Sequence, residues 1–74
     1  MNVVGPRVRQ ARSNSGLTQA RLAARLQVRG IKIDRSGVAK IEGRIRQVSD
    51  TELLVLADAL GVSPAWLLQP ETVK

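Results

Sequence analysis

Hydrophobic residues recur at three- and four-residue spacing along most of the chain, the spacing that one face of an α-helix requires. Leu22 and Leu26 show it in one segment, and Leu53, Leu56 and Leu60 show it in another. No segment alternates apolar and polar residues with the β-branched enrichment of a strand. The pattern therefore predicts an all-α fold.

Four predicted helices begin with the same device, a capping residue between two apolar residues that can form a hydrophobic staple. The caps are Thr18, Asp34, Ser49 and Ser63, and Gly43 supplies a C-terminal stop for the third helix. The predicted helices cover about residues 6–14, 19–29, 35–42, 50–60 and 64–69 of a single compact domain spanning residues 1–74. The expected core is Val8, Leu22, Leu26, Val38, Ile41, Leu53, Leu56, Leu60 and Leu67.

Composition excludes several classes of function. The chain has 74 residues with no Cys and no His, so it can form neither disulfides nor thiolate or imidazole metal sites. Without His, Cys or Tyr, a serine nucleophile has no evident base, and we expect no enzymatic activity and no cofactor. The absence of a long apolar run predicts a soluble, cytoplasmic protein that does not enter membranes.

The charge is strongly asymmetric along the sequence. Residues 1–47 contain eleven basic and two acidic residues, a net charge of +9, whereas residues 48–74 carry −3. Nine of the twelve cations are arginines, which suit the recognition of phosphates and base edges. The basic part of the chain is therefore predicted to bind an anionic partner such as DNA.

The third predicted helix has one apolar and one basic face. Val38 and Ile41 lie on the first face by helical spacing, and Arg35, Ser36 and Lys40 lie on the second. A solvated basic face would explain such a helix in isolation. Two short helices joined by a turn, the second one basic on its outer face, instead indicate a helix-turn-helix that binds duplex DNA.

Several short motifs strengthen this interpretation together, although each is weak alone. They are Leu17-Thr18-Gln19, Leu22-Ala23, Val38 to Gly43, Leu56 to Ser63 and Trp66-Leu67-Leu68. Over about residues 4–68 the sequence resembles the phage-repressor-type (XRE/Cro-like, lambda-repressor-like) helix-turn-helix family. The resemblance implies a five-helix DNA-binding domain that acts as a repressor-like transcriptional regulator and uses its third helix in the major groove.

The resemblance also implies positions that contact DNA. Gln19 matches a residue that hydrogen-bonds a phosphate at the start of helix 2. Arg35, Ser36 and Lys40 match positions that reach base edges, and Gly37 matches a further contact position without a side chain.

Two more pairs of residues match the family pattern. Arg44 and Arg46 match a loop that contacts the DNA backbone. Arg12 and Glu42 match an ion pair that joins helix 1 to helix 3. An exposed ion pair of little energetic value is the alternative for Arg12 and Glu42, and we expect a partly buried one.

The connection between helices 2 and 3 is longer than the usual family turn. It contains Arg29 and Lys32, which are candidates for extra phosphate contacts. Helix 2 could extend by a turn, the connection could project toward a phosphate, or it could be an inert surface loop. Asp34 is an unusual cap for a helix that faces DNA, because its carboxylate repels phosphates.

The C-terminal part offers a candidate homodimer surface. Trp66, Leu67, Leu68 and Val73 gather apolar area near the acidic end of the chain. Trp66 could also be a plug in or at the edge of the core. The alternative to DNA binding is a protein-interaction module, such as an antitoxin-like domain whose basic face meets an acidic protein partner.

Overall fold

The computed structural model describes residues 3–69 and contains no strand within that range. Its helices are α1 (Gly5–Asn14), α2 (Gln19–Val28), α3 (Arg35–Glu42), α4 (Asp50–Leu60) and α5 (Pro64–Leu68). The predicted all-α fold with five helices is confirmed. No described helix has the length and apolar character needed to cross a membrane.

Each of the four capping residues accepts a hydrogen bond from its own helix. The backbone N–H of Gly37 donates to Asp34 Oδ1 at 2.8 Å, and that of Glu52 donates to Ser49 Oγ at 3.2 Å. The Glu52 carboxylate accepts a bond from the Ser49 N–H in return, which completes a capping box. Local sequence signals therefore determine where these helices begin.

The end of α3 combines the predicted stop at Gly43 with a left-handed residue one position later. Gly43 lies at the helix end, but its φ is −85°, and the left-handed residue is Arg44, with φ of 63°. α3 therefore ends at Gly43 as predicted, and the left-handed conformation falls on the next residue. The backbone N–H groups of Ile45 and Arg46 both donate to the carbonyl of Lys40, at 2.8 and 3.1 Å, and this turn holds the left-handed residue in place.

The core is aliphatic and continuous. Eight of the nine predicted core residues are buried, and Leu53 is half-buried at the edge of the cluster. Short connecting segments contribute as well, because Leu17 and Ile33 are also buried. The buried cluster consists of Val4, Val8, Ala11, Leu17, Leu22, Ala23, Leu26, Ile33, Val38, Ile41, Leu56, Ala57, Ala59, Leu60 and Leu67.

The packing of the helices determines which face of α3 stays open. α3 packs against α1 and α2, and α4 and α5 pack against each other and against α1. The start of α1 approaches the end of α3 so closely that a Cβ at Gly5 would lie 2.5 Å from the Ile41 carbonyl oxygen. α3 is therefore held on its inner side, and its outer side faces solvent.

Candidate nucleic-acid interface

The two faces of α3 separate cleanly. Val38 is fully buried and Ile41 is 2% exposed, whereas Arg35, Ser36 and Lys40 are exposed. The three side chains predicted to reach base edges thus share the solvent side of one helix. A rigid helix that presents hydrogen-bond donors in this way can enter the major groove of DNA.

Gly37 occupies the same helix without a side chain for a physical reason. A Cβ at this position would lie 2.4 Å from Cγ1 of Ile33, the buried residue just before the capping Asp34. The connection from α2 therefore lies directly against the first turn of α3. Gly37 allows this contact, and its backbone remains half-buried at the edge of the exposed face.

An open groove runs along the exposed side of α3. It lies between the helix, the end of α2 and the two flanking loops. Three of the predicted base-contacting positions, Ser36, Gly37 and Lys40, line it. Its full lining is Gln27, Lys32, Ile33, Asp34, Ser36, Gly37, Lys40, Ile45 and Arg46.

Arg12, Gln19 and Glu42 form one hydrogen-bonded network that joins α1, α2 and α3. Arg12 Nε donates to Glu42 Oε2 at 2.6 Å, and the Gln19 amide donates to Glu42 Oε1 at 3.1 Å. Arg12 also donates to the carbonyl of Leu17 at 2.8 Å, just before α2. The Glu42 side chain is 5% exposed, so the partly buried geometry agrees with the expectation for this pair.

The loop after α3 brings its two arginines into different environments. Arg44 is exposed, and its side chain makes no hydrogen bond within residues 3–69. Arg46 instead makes a two-point ion pair with Glu52, at 3.0 and 2.9 Å. This hydrogen bond from Arg46 holds the pKa of Glu52 below its ordinary value, because it favours the charged carboxylate.

The long connection before α3 is anchored to the rest of the protein. α2 ends at Val28 and gains no extra turn, and the Gln27 amide donates to the carbonyl of Ile33 at 2.6 Å. Arg29 Nε donates to Asp58 of α4 at 2.7 Å. The Arg29 side chain is therefore directed to α4 rather than projecting as a free phosphate ligand, whereas Lys32 is exposed and lies in the groove.

The structure corrects one part of the predicted dimer surface. Leu67 is completely buried in the core, so it cannot contact a second chain. Trp66 is half-buried with the Arg7 guanidinium 4.5 Å from its ring centre, an arrangement that joins α5 to α1. Leu68 is 50% exposed and remains available, and Val73 lies outside the described residues.

Two contributors to this region were missed in the sequence. Glu52 was not predicted to pair with Arg46, because the pairing crosses a loop that has no helical spacing to indicate it. Ile45 was not among the predicted site residues, but it is 76% exposed and lines the groove. The only signal for this placement in the sequence is the presence of an isoleucine in a basic loop.

Known proteins resemble the chain in both sequence and structure. Residues 4–67 match the family model described as a helix-turn-helix domain. The restriction-modification controller protein C.AhdI from Aeromonas hydrophila is 38% identical, over 86% of this chain and 89% of that chain, with a TM-score of 0.75. No curated protein matches the sequence.

Two further solved structures share the fold. The hypothetical transcription factor NHTF from Neisseria has 29% identity over 92% of this chain and 72% of that chain, with a TM-score of 0.79. The P22 c2 repressor, in a structure with a synthetic operator, has 24% identity over 96% of this chain and all of that chain, with a TM-score of 0.76. At that identity the P22 likeness concerns the fold alone.

Proposed function

The chain belongs to the helix-turn-helix domain family, and from this premise we propose that it is a transcriptional regulator that binds specific duplex DNA sequences with α3 in the major groove. The observation that carries the proposal is the separation of faces on α3. Arg35, Ser36 and Lys40 extend into solvent from a helix whose opposite face is fixed in the core. Arginine and lysine both donate to guanine O6 and N7, and serine can bond to either bases or phosphates.

Residues next to α3 are candidates for contacts with DNA phosphates. Gln19 stands at the start of α2, and one amide hydrogen is engaged by Glu42 while the other can meet a phosphate at the positive end of the helix dipole. Arg44 is exposed in the loop that follows α3. Lys32, an exposed cation at the groove, is a third candidate contact.

A matched pair of measurements tests DNA binding. Enrichment of bound sequences from random duplex DNA should converge on one site, and affinity for that site should fall with increasing salt, with a slope of about −0.9 in log–log terms for each phosphate contact. Affinity that is indifferent to salt, together with no enriched sequence, would contradict the proposal. It would then favour the protein-interaction module, which should retain a stoichiometric acidic protein partner and bind random duplex weakly.

The proposed active form is a homodimer that uses the surface around α4 and α5. Val3, half-buried Leu53 and exposed Leu68 line one apolar recess there, and Leu54 on α4 is 59% exposed. α3 packs mainly against α1 and α2, so its exposed face is not part of this surface. Two copies of α3 could then contact a pseudo-palindrome with half-sites roughly one turn, ~34 Å, apart.

Sedimentation tests the dimer directly. The wild-type chain should sediment as a dimer when saturated with the selected site, and Leu68→Asp should weaken that dimer. Val28→Asp is a matched control, because Val28 lies on α2 and is 85% exposed. Monomer alone, both free and on a palindromic site, would refute the dimer and leave DNA binding by one domain intact.

A further inference from the structure

Ile45 is an apolar side chain in a surrounding of cations and polar groups. It is 76% exposed and lines the groove beside α3 together with Ser36, Lys40 and Arg46. Its residue type is at odds with that exposure, because an isoleucine gains most when water is removed from it. A polar residue would be more favourable at this position if the loop contacted nothing but water.

The backbone around Ile45 is held in one conformation. Its N–H donates to the carbonyl of Lys40 at 2.8 Å, and the next N–H, that of Arg46, donates to the same oxygen at 3.1 Å. The Arg46 side chain is then fixed by Glu52. Ile45 is therefore presented from a rigid turn, in a position set by the end of α3.

The geometry points to Ile45 as a residue that recognises thymine, through contact with the C5-methyl group exposed in the major groove. This inference rests on the proposed function, since it requires α3 to lie in that groove. Thymine is the only DNA base with an apolar group on this edge, and apolar side chains recognise it by contact. The groove that Ile45 lines also contains Lys32 and Lys40, whose positive charges complement the phosphates of DNA.

This contact would specify a base that Lys40 does not. Lys40 donates hydrogen bonds, which suit guanine acceptors, whereas Ile45 presents only carbon. Base identity would thus be determined partly by α3 and partly by the turn that follows it.

Deoxyuridine provides the test because it differs from thymidine only by that methyl group. Each thymine of the selected duplex is replaced singly, and affinity is measured for the intact wild-type chain, Ile45→Ala and the control Val28→Ala. At one or two positions per half-site, the replacement should weaken wild-type binding roughly fourfold, the loss expected for one buried methyl group. The same replacement should leave Ile45→Ala binding unchanged, and Val28→Ala should respond as the wild type does.

The outcomes separate this inference from the proposed function. Salt-dependent binding of the selected duplex with no effect of deoxyuridine at any position would overturn the role of Ile45 alone. An equal deoxyuridine effect in wild type and Ile45→Ala would also overturn it, because another residue would then contact the methyl group. Failure to bind any duplex would overturn both. Since Ile45 is exposed, Ile45→Ala should melt at the wild-type temperature, which confirms that the comparison is made between folded proteins.

Discussion

Arg12 on α1 and Glu42 at the end of α3 meet in a two-point ion pair, with Nε to Oε2 at 2.6 Å and a terminal guanidinium nitrogen to Oε1 at 3.2 Å. Their side chains are 16% and 5% exposed. The same carboxylate accepts a bond from Gln19. One buried charge therefore sets the relative positions of α1, α2 and α3.

Replacing Glu42 should destabilise the fold through this pair. Glu42→Gln leaves the Arg12 charge with a neutral partner in a partly buried site, and such a loss typically costs ~3–5 kcal/mol of the free energy of unfolding. Asp58→Asn is the matched control, because it removes the acid from the exposed Arg29–Asp58 pair, which is worth ~0–1 kcal/mol. Thermal and denaturant unfolding measure both, and equal stability losses in the two variants would contradict the buried role.

The close approach of α1 to α3 gives a second stability prediction. Gly5→Ala would place a Cβ 2.5 Å from the Ile41 carbonyl oxygen and 2.9 Å from that of Glu42, and neither backbone atom can move freely. Forcing the two helices apart should destabilise the protein by about 1–3 kcal/mol. Gly43→Ala, where the nearest atom lies at 3.4 Å and φ is −85°, should be neutral or slightly stabilising. Denaturant midpoints of the two variants test this difference.

The ion pair of Arg46 with Glu52 predicts a pH dependence. Because the hydrogen bond from Arg46 lowers the pKa of Glu52 in the folded state, the pair stabilises the protein above the ordinary glutamate pKa of ~4.3. That contribution is lost as the pH falls through the lowered folded value. The pair is partly exposed, so the change should be no more than about 1 kcal/mol. Unfolding free energies from pH 6 to pH 3 should fall less steeply in Glu52→Gln than in the wild type.

Local sequence signals determined the helices because each signal involves residues close in the chain. A cap and its donor are three residues apart, as in Ser49 and Glu52, and the bond between them does not depend on the rest of the fold. The exposed basic face of α3 followed from helical spacing in the same way. Burial of Leu67, by contrast, depends on where α5 packs, and its spacing suited both a core and a surface position.

The parts of the site that could not be predicted involve partners far apart in sequence. The sequence alone does not show which acidic residue pairs with Arg29. The packing of α2 on α4 places Asp58 beside it. The loop that brings Arg46 to Glu52 contains Arg44 in a left-handed conformation. The sequence does not indicate this conformation, because the adjacent Gly43 could adopt it more easily than an arginine. Sequence patterns thus identified the basic residues, but the fold determines which of them form ion pairs within the protein.

This pairing predicts that Glu52 limits the contribution of Arg46 to DNA binding. Glu52→Gln should release the Arg46 guanidinium and raise the affinity for unselected duplex, with a steeper salt slope. Asp50→Asn removes the same charge from α4 without breaking an ion pair among the described residues, and it serves as the control for a general electrostatic effect. The gain should disappear in the double variant Glu52→Gln with Arg46→Ala. An equal gain in Asp50→Asn would show that overall charge, not Arg46, accounts for the change.

The last prediction separates side chains that specify bases from those that contact phosphates. Lys40 is exposed on α3 and lines the groove, whereas Arg44 is exposed on the loop that follows and does not line it. A wrong base leaves a desolvated donor unpaired, at a cost of roughly 1–3 kcal/mol for a bidentate contact, but phosphates are alike at every step. Lys40→Ala should therefore flatten the preference at one or two positions of the selected site.

Arg44→Ala should instead weaken all duplexes similarly and reduce the salt slope by about one contact, because it removes one phosphate ligand. Arg44 suits this comparison better than Arg46, whose removal would also break the pair with Glu52. The measurement is the affinity of both variants for the selected site and for a scrambled duplex, each over a salt series. If Lys40→Ala lowers both affinities equally and keeps their ratio, then Lys40 does not specify a base, and the exposed Lys32 in the connection before α3 becomes the next residue to test.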